Sequence, residues 1–216
     1  MHFFDVVLFD LDGTLTDPRR GIFNSFHYAL DKLGLAEKNP DTMHSLIGPP
    51  LRETFKKRYG VADKQIEQAV IHYREYFGDK GLFENEIYDG IPGLLKNLKN
   101  DGRKVILATT KADIYAERIL EHFQIKEYFD FLSCATFDGS RTDKGEIIAH
   151  ALKQQNIKGS QSVAMTGDRL FDIMGAKQNG IASIGVVYGF GTREELRSAG
   201  SDYLVTSVAE LAALLL

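Results

Sequence analysis

The sequence predicts an α/β protein, a mainly parallel sheet flanked by helices and carrying near its start a purely helical insertion. Three observations predict it. The uncharged stretch Val6-Val7-Leu8-Phe9 runs directly into two acids and a Gly-Thr turn, the pattern of a buried strand that delivers polar groups to its carboxyl end. From Asp17 to about Phe83 the apolar residues recur at helical spacing, with no strand pattern among them. From Tyr88 onward helical and strand patterns alternate, the rhythm of parallel βαβ units with right-handed crossovers.

Taken in order, residues 21–34 carry Ile22, Phe23, Phe26, Ala29, Leu30 and Leu33 along one helix, with Gly34 where a left-handed cap is common. Pro40-Asp41 opens a short helix through Met43, Leu46 and Ile47, stopped by Gly48-Pro49-Pro50. A third helix covers about 51–59 and ends at Gly60. Asp63 caps a fourth, whose Ile66, Ala69, Val70, Tyr73 and Phe77 form one face. A helix over 92–99 closes at Asn100-Asp101-Gly102 and leads into a buried strand over 104–108. Helices over 114–123 and 146–155 and strands over 131–135, 162–165 and 182–187 complete the pattern, and the terminal leucines read as a helix end docking on the core. Residues 1–16 and 84–216 are therefore expected to form the core, and residues 17–83 a helical insertion.

Composition narrows the function. The 216 residues are 44% hydrophobic and 26% charged, ordinary for a globular protein, which excludes disordered, collagenous and disulfide-scaffold classes. A net charge of -4 argues against a nucleic-acid partner, because phosphate-backbone binders carry a basic excess. Cys134 is the single cysteine, so neither an intrachain disulfide nor a cysteine-built zinc site is available, and its apolar neighbours predict an inert buried thiol. The first residues lack a basic leader. The apolar end at 211–216 is shorter than the ~20 residues a bilayer requires. A cytoplasmic protein without a membrane partner is expected, as a monomer or homodimer.

The apolar strand ends in Asp10-Leu11-Asp12-Gly13-Thr14, followed by Leu15-Thr16-Asp17, with Gly13 permitting a sharp turn. This stretch resembles the first motif of the haloacid dehalogenase superfamily of aspartate-nucleophile phosphatases. A phosphomonoester hydrolase of that kind needs a carboxylate nucleophile, a proton donor for the leaving oxygen, cations, and an anchor for the phosphoryl oxygens. The resemblance implies that Asp10, at the end of the first strand, is the nucleophile and that Asp12, two residues on, is the acid/base. Thr109, after an apolar strand, resembles the second motif, which implies that its hydroxyl holds the phosphoryl group with help from Thr110, where relatives often carry Asn. Lys144, just before a helix, resembles the third motif and would pair with the nucleophile. Gly145 stands where relatives often have proline, and Lys111 competes for the same role.

The fourth motif is matched by Val163-Ala164-Met165-Thr166-Gly167-Asp168-Arg169-Leu170-Phe171-Asp172. The resemblance implies that Asp168 joins Asp10 and the backbone carbonyl of Asp12 around Mg2+, a hard cation suited to a sparse carboxylate site. Asp172 would be a ligand or a support in the first helical turn, where a negative charge is also favoured. Gly185 to Thr192 and Tyr88 to Gly93 resemble core segments of the phosphoglycolate phosphatase-like branch, which includes enzymes known as 5'-nucleotidases. The branch implies a Rossmann-like three-layer α/β/α core whose helical insertion is a cap that closes over the site. In the cap, Arg52, in the loop Ile47-Gly48-Pro49-Pro50-Leu51-Arg52, and Arg20, near the hinge, would meet an anionic leaving group. Phe23, Phe26 and Tyr28 suit either base stacking or cap core.

The expectation is a Mg2+-dependent phosphatase of a small phosphorylated metabolite, phosphoglycolate or a nucleoside 5'-monophosphate, acting through a phospho-Asp10 intermediate. Sugar-phosphate mutase and pyrophosphatase activities are alternatives within the superfamily. The alternative from another class is a receiver-type module phosphorylated for signalling; Asp12 and the long insertion argue against it.

Overall fold

A computed structural model describes residues 4–36, 46–47, 51–137 and 139–216. The short helix expected over 40–47 lies outside the described residues, apart from Leu46 and Ile47, and so does its Gly48-Pro49-Pro50 stop. In chain order the elements are β1 (Val6–Phe9), β2 (Thr16–Asp17), α1 (Arg19–Lys32), α2 (Leu51–Lys57), α3 (Asp63–Tyr76), β3 (Glu86–Ile87), α4 (Ile91–Asn100), β4 (Lys104–Ala112), α5 (Asp113–His122), β5 (Phe131–Ala135), α6 (Lys144–Gln154), β6 (Val163–Gly167), α7 (Leu170–Gln178), β7 (Ala182–Val186), α8 (Arg193–Ala199), β8 (Tyr203–Val205) and α9 (Val208–Leu215). They divide into two compact units, Met1–Asp17 with Ile87–Leu216, and Pro18–Glu86. No helix among the described residues is long and apolar enough to cross a membrane.

In the first unit six strands form a Rossmann-like sheet in the order β5-β4-β1-β6-β7-β8, with every pairing parallel. The chain steps outward from β1 through β4 to β5, then returns to the far side of β1 for β6, β7 and β8. That reversal beside β1 opens a crevice at the carboxyl ends of the strands, the place where ligands bind in open α/β sheets. Side chains alternate across a strand. Leu8, Ile106, Ala108, Val163 and Met165 pack with Ile147, Ile148 and Ala151 of α6 and Ala176 of α7. Val7, Phe9, Val105 and Leu107 alternate with them and are equally buried. Both faces are covered, which is why these strands read as continuous apolar runs.

β4 runs on to Ala112 rather than stopping at residue 108. The β-branched Thr109 and Thr110 suit extended backbone, and pairing with β5 continues past a register shift between Thr109 and Ala112. Consequently Lys111 lies in a strand.

The described part of the second unit has helices and connecting turns but no strand before Glu86. α1 buries Ile22, Phe26, Ala29 and Leu30, and Phe26 forms the centre of an aromatic cluster. Its ring centroid lies 4.9 Å from Tyr73, 5.2 Å from Phe55 and 5.9 Å from Tyr59, so Phe26 is core and has no free face for a base. Asp63 does not cap α3. It is the first helical residue, after Ala62, and makes no capping bond. Its carboxylate pairs instead with Lys56 at 2.7 Å, while its place in the first turn still favours the helix dipole.

Candidate active site

The carboxyl ends of β1, β4 and β6 and the first turns of α6 and α7 converge on one group of charges. Asp10 follows β1, and its N–H donates to the Thr166 carbonyl of β6 at 2.9 Å, which fixes the carboxylate at the crevice. Lys144, the first residue of α6, is buried. Its Nζ lies 2.8 Å from Asp10 Oδ1 and 2.8 Å from Asp172 Oδ1 and donates to the Ala108 carbonyl at 2.9 Å. Burial opposes a charge on this amine, but the two carboxylates outweigh it and hold its pKa above the ordinary lysine value. Gly145 follows, beside the Gln178 side chain of α7, which a Cβ there would push aside.

Asp168 follows β6 and is fully buried. Its Oδ2 accepts from the Phe190 N–H at 2.7 Å, whereas its Oδ1 has no hydrogen-bond partner among the described residues. Burial, then the neighbouring Asp172 and Asp10, push its pKa well above the usual carboxylate range. Asp172 is also buried, with its pKa raised chiefly by burial. Its Oδ2 accepts the Arg169 N–H at 3.0 Å, so it stabilises the start of α7 while its other oxygen faces Lys144. Oxygens of Asp10, Asp168 and Asp172 all lie within 4.8 Å of one another.

Asp12 points elsewhere. Its Oδ2 lies 2.5 Å from Lys111 Nζ, and its Oδ1 has no hydrogen-bond partner among the described residues. Burial raises its pKa, with the Lys111 charge opposing. Both candidate lysines are therefore engaged, each with different acids. Gly13 has φ +83°, and a Cβ on it would meet Asp168 Oδ2 at 2.2 Å; only glycine lets this turn pass so close to the carboxylate. Thr109 is buried, and its hydroxyl accepts the Lys111 backbone N–H at 3.2 Å, which leaves the hydroxyl proton for another acceptor. Thr110 is exposed, consistent with strand alternation.

The donor set fits a divalent cation. Asp10, Asp12, Asp168 and Asp172 outnumber Lys111 and Lys144 by two, and an unpartnered carboxyl oxygen on a fully buried residue is costly unless something occupies it. Carboxylate oxygens at this spacing suit a hard ion such as Mg2+.

Arg20 and Arg52 belong to the helical unit. Arg52 pairs its Nε and Nη2 with Glu67 at 2.7 and 2.9 Å, so its guanidinium is occupied, and Arg20 is exposed on α1. The approach loop at 48–50 lies outside the described residues. Two contributions escaped the sequence. The Phe190 amide had no signal, because any residue supplies a backbone N–H. Lys111 carried a signal, its position two residues after Thr109, but not its partner.

The family model "Haloacid dehalogenase-like hydrolase" matches residues 7–186. The chain is 42% identical over 205 residues to a 5'-nucleotidase of Pseudomonas aeruginosa, covering 95% of this chain and 92% of that one. It is 38% identical over 206 residues to the tyrosine-protein kinase PtkA of Mycobacterium tuberculosis, with coverage of 95% and 69%. The crystal structure of a "Putative Phosphatase" from Clostridium difficile superposes with a TM-score of 0.92 at 44% identity, covering 99% of each chain. With the family model spanning most of the chain, which gathers Asp10, Asp168 and Asp172 at the carboxyl ends of its strands, the chain belongs to the haloacid dehalogenase-like hydrolases.

Proposed function

We propose that this phosphatase hydrolyses small phosphomonoesters, a nucleoside 5'-monophosphate foremost, through a phospho-Asp10 intermediate. The observation that carries the reading is the gathering of Asp10, Asp168 and Asp172 within 4.8 Å around the buried Lys144 ammonium. The 42% identity to a 5'-nucleotidase supports the nucleotide as substrate. Mg2+, held by Asp10, Asp168 and the Asp12 carbonyl with Asp172 as ligand or support, would supply Lewis-acid stabilisation of the phosphoryl charge.

The protein's own groups divide the remaining work. An Asp10 carboxylate oxygen attacks phosphorus, the bond to the leaving oxygen breaks, and the Asp12 carboxyl gives that oxygen its proton. Thr109 donates its free hydroxyl proton to a phosphoryl oxygen, and Lys144 offsets charge on Asp10 and the phosphoryl group. Water then attacks phosphorus while Asp12 takes its proton, the bond to Asp10 breaks, and inorganic phosphate leaves. In this reading the helical unit acts as the cap and excludes water.

The test is phosphate release from a panel of nucleoside monophosphates, phosphoglycolate and p-nitrophenyl phosphate with Mg2+. Asp10→Asn is expected to abolish release and keep the native circular dichroism spectrum. Turnover by that variant, or no release by the native protein from any ester, overturns the reading.

A further inference from the structure

We propose that Lys111 is a positioning residue for Asp12: its ammonium fixes one carboxyl oxygen so that the other is presented to the leaving group. The inference rests on the phosphatase reading above and assigns a task to a residue that reading leaves unused.

The geometry is one-sided. Lys111 Nζ lies 2.5 Å from Asp12 Oδ2, with the two side chains only 10% and 20% exposed. Asp12 Oδ1 is buried without a hydrogen-bond partner among the described residues. An anchored oxygen and a free one on the same carboxyl restrict its rotation, and a proton donor is effective only when held within hydrogen-bond reach of its acceptor.

The backbone of the same residue orders a second group. The Lys111 N–H donates to Thr109 Oγ1 at 3.2 Å, so it occupies a lone pair of the hydroxyl and frees its proton for a phosphoryl oxygen. Both contacts follow from the extension of β4 past residue 108, which carries Lys111 two residues beyond Thr109 within the strand. Lys144 cannot substitute. Its ammonium is already held by Asp10, Asp172 and the Ala108 carbonyl.

A positioned acid matters most when the leaving oxygen is basic, and this separates positioning from bulk charge or folding. The full-length protein with Mg2+ is assayed for kcat/KM with phenyl phosphate, whose leaving group needs a proton, and with p-nitrophenyl phosphate, whose leaving group needs one far less. Native turnover of both esters tests the phosphatase reading by itself. Lys111→Met is expected to lower kcat/KM for phenyl phosphate by about 10- to 100-fold, part of what general acid catalysis contributes, and for p-nitrophenyl phosphate by less than about threefold. Lys111→Arg, which keeps the charge, is expected to recover most of the loss and serves as the second variant if the methionine protein does not fold. Equal losses with the two esters, no loss with either, or an arginine variant as impaired as the methionine one would overturn the proposal.

Discussion

Lys144→Met tests whether the buried ammonium is what allows two carboxylates to share the crevice. The substitution keeps most of the stem's volume and removes the charge that stands 2.8 Å from both Asp10 and Asp172. Breaking a buried pair by deleting one partner costs about 3–5 kcal/mol, because the remaining charge is left uncompensated. For a chain of this length each kcal/mol moves Tm by about 2–4 °C, so the expected fall is roughly 6–20 °C at pH 7.5 with the metal chelated. The sign with pH follows from the acids. Asp172 already has a raised pKa in the folded protein, and losing Lys144 removes a lowering influence, so protonation becomes still more favourable in the folded state. Stability linked to a raised carboxyl is present in full below its unfolded value and is lost as pH rises through the folded one. The deficit should therefore narrow at pH 5. Differential scanning calorimetry of both proteins at the two pH values measures it. A Tm within about 2 °C of native at pH 7.5, or a deficit of the same size at pH 5, would refute the reasoning.

Two other outcomes follow from the same charges. Asp168 has its pKa raised by burial and by its acidic neighbours, so the metal-free protein loses that stability as pH rises through the folded value, and Mg2+ should raise Tm more at pH 8 than at pH 5; equal shifts in a thermal melt would contradict it. Gly13→Ala places a Cβ 2.2 Å from Asp168 Oδ2 at φ +83°, which costs about 1–2 kcal/mol for the left-handed backbone alone and must displace the carboxylate, so calorimetric Mg2+ affinity should fall at least about tenfold.

The acids were legible because their signals are local. An apolar run that ends in Asp10-Leu11-Asp12-Gly13 marks a strand end, and Gly167-Asp168 with Asp172 four residues on marks a turn into a helix. The choice between Lys111 and Lys144 was not local: Lys144 meets the Ala108 carbonyl across 36 residues of sequence, and only the pairing of β4 with β1 and its extension to Ala112 assigns each amine its acid. α8 and the start of α9 went unread although their caps are in the sequence. Thr192 accepts from the Glu195 N–H, and Ser207 accepts from the Glu210 N–H, the Ser/Thr-x-x-Glu pattern of a helix start. β8 offers three residues, with Tyr203 exposed, too few to show a period.

By itself the sequence determined the α/β class, because side-chain period and strand-end turns are written in adjacent residues, and it singled out the four acids through their resemblance to the first and fourth motifs of a known family. Tertiary structure alone decided which charges face one another. Asp168 lies beside Asp10 and Asp172 because β6 pairs with β1, and Asp12 lies with Lys111 because β4 overruns its expected end. Contacts between distant residues depend on strand order and register, and no spacing along a single chain encodes either.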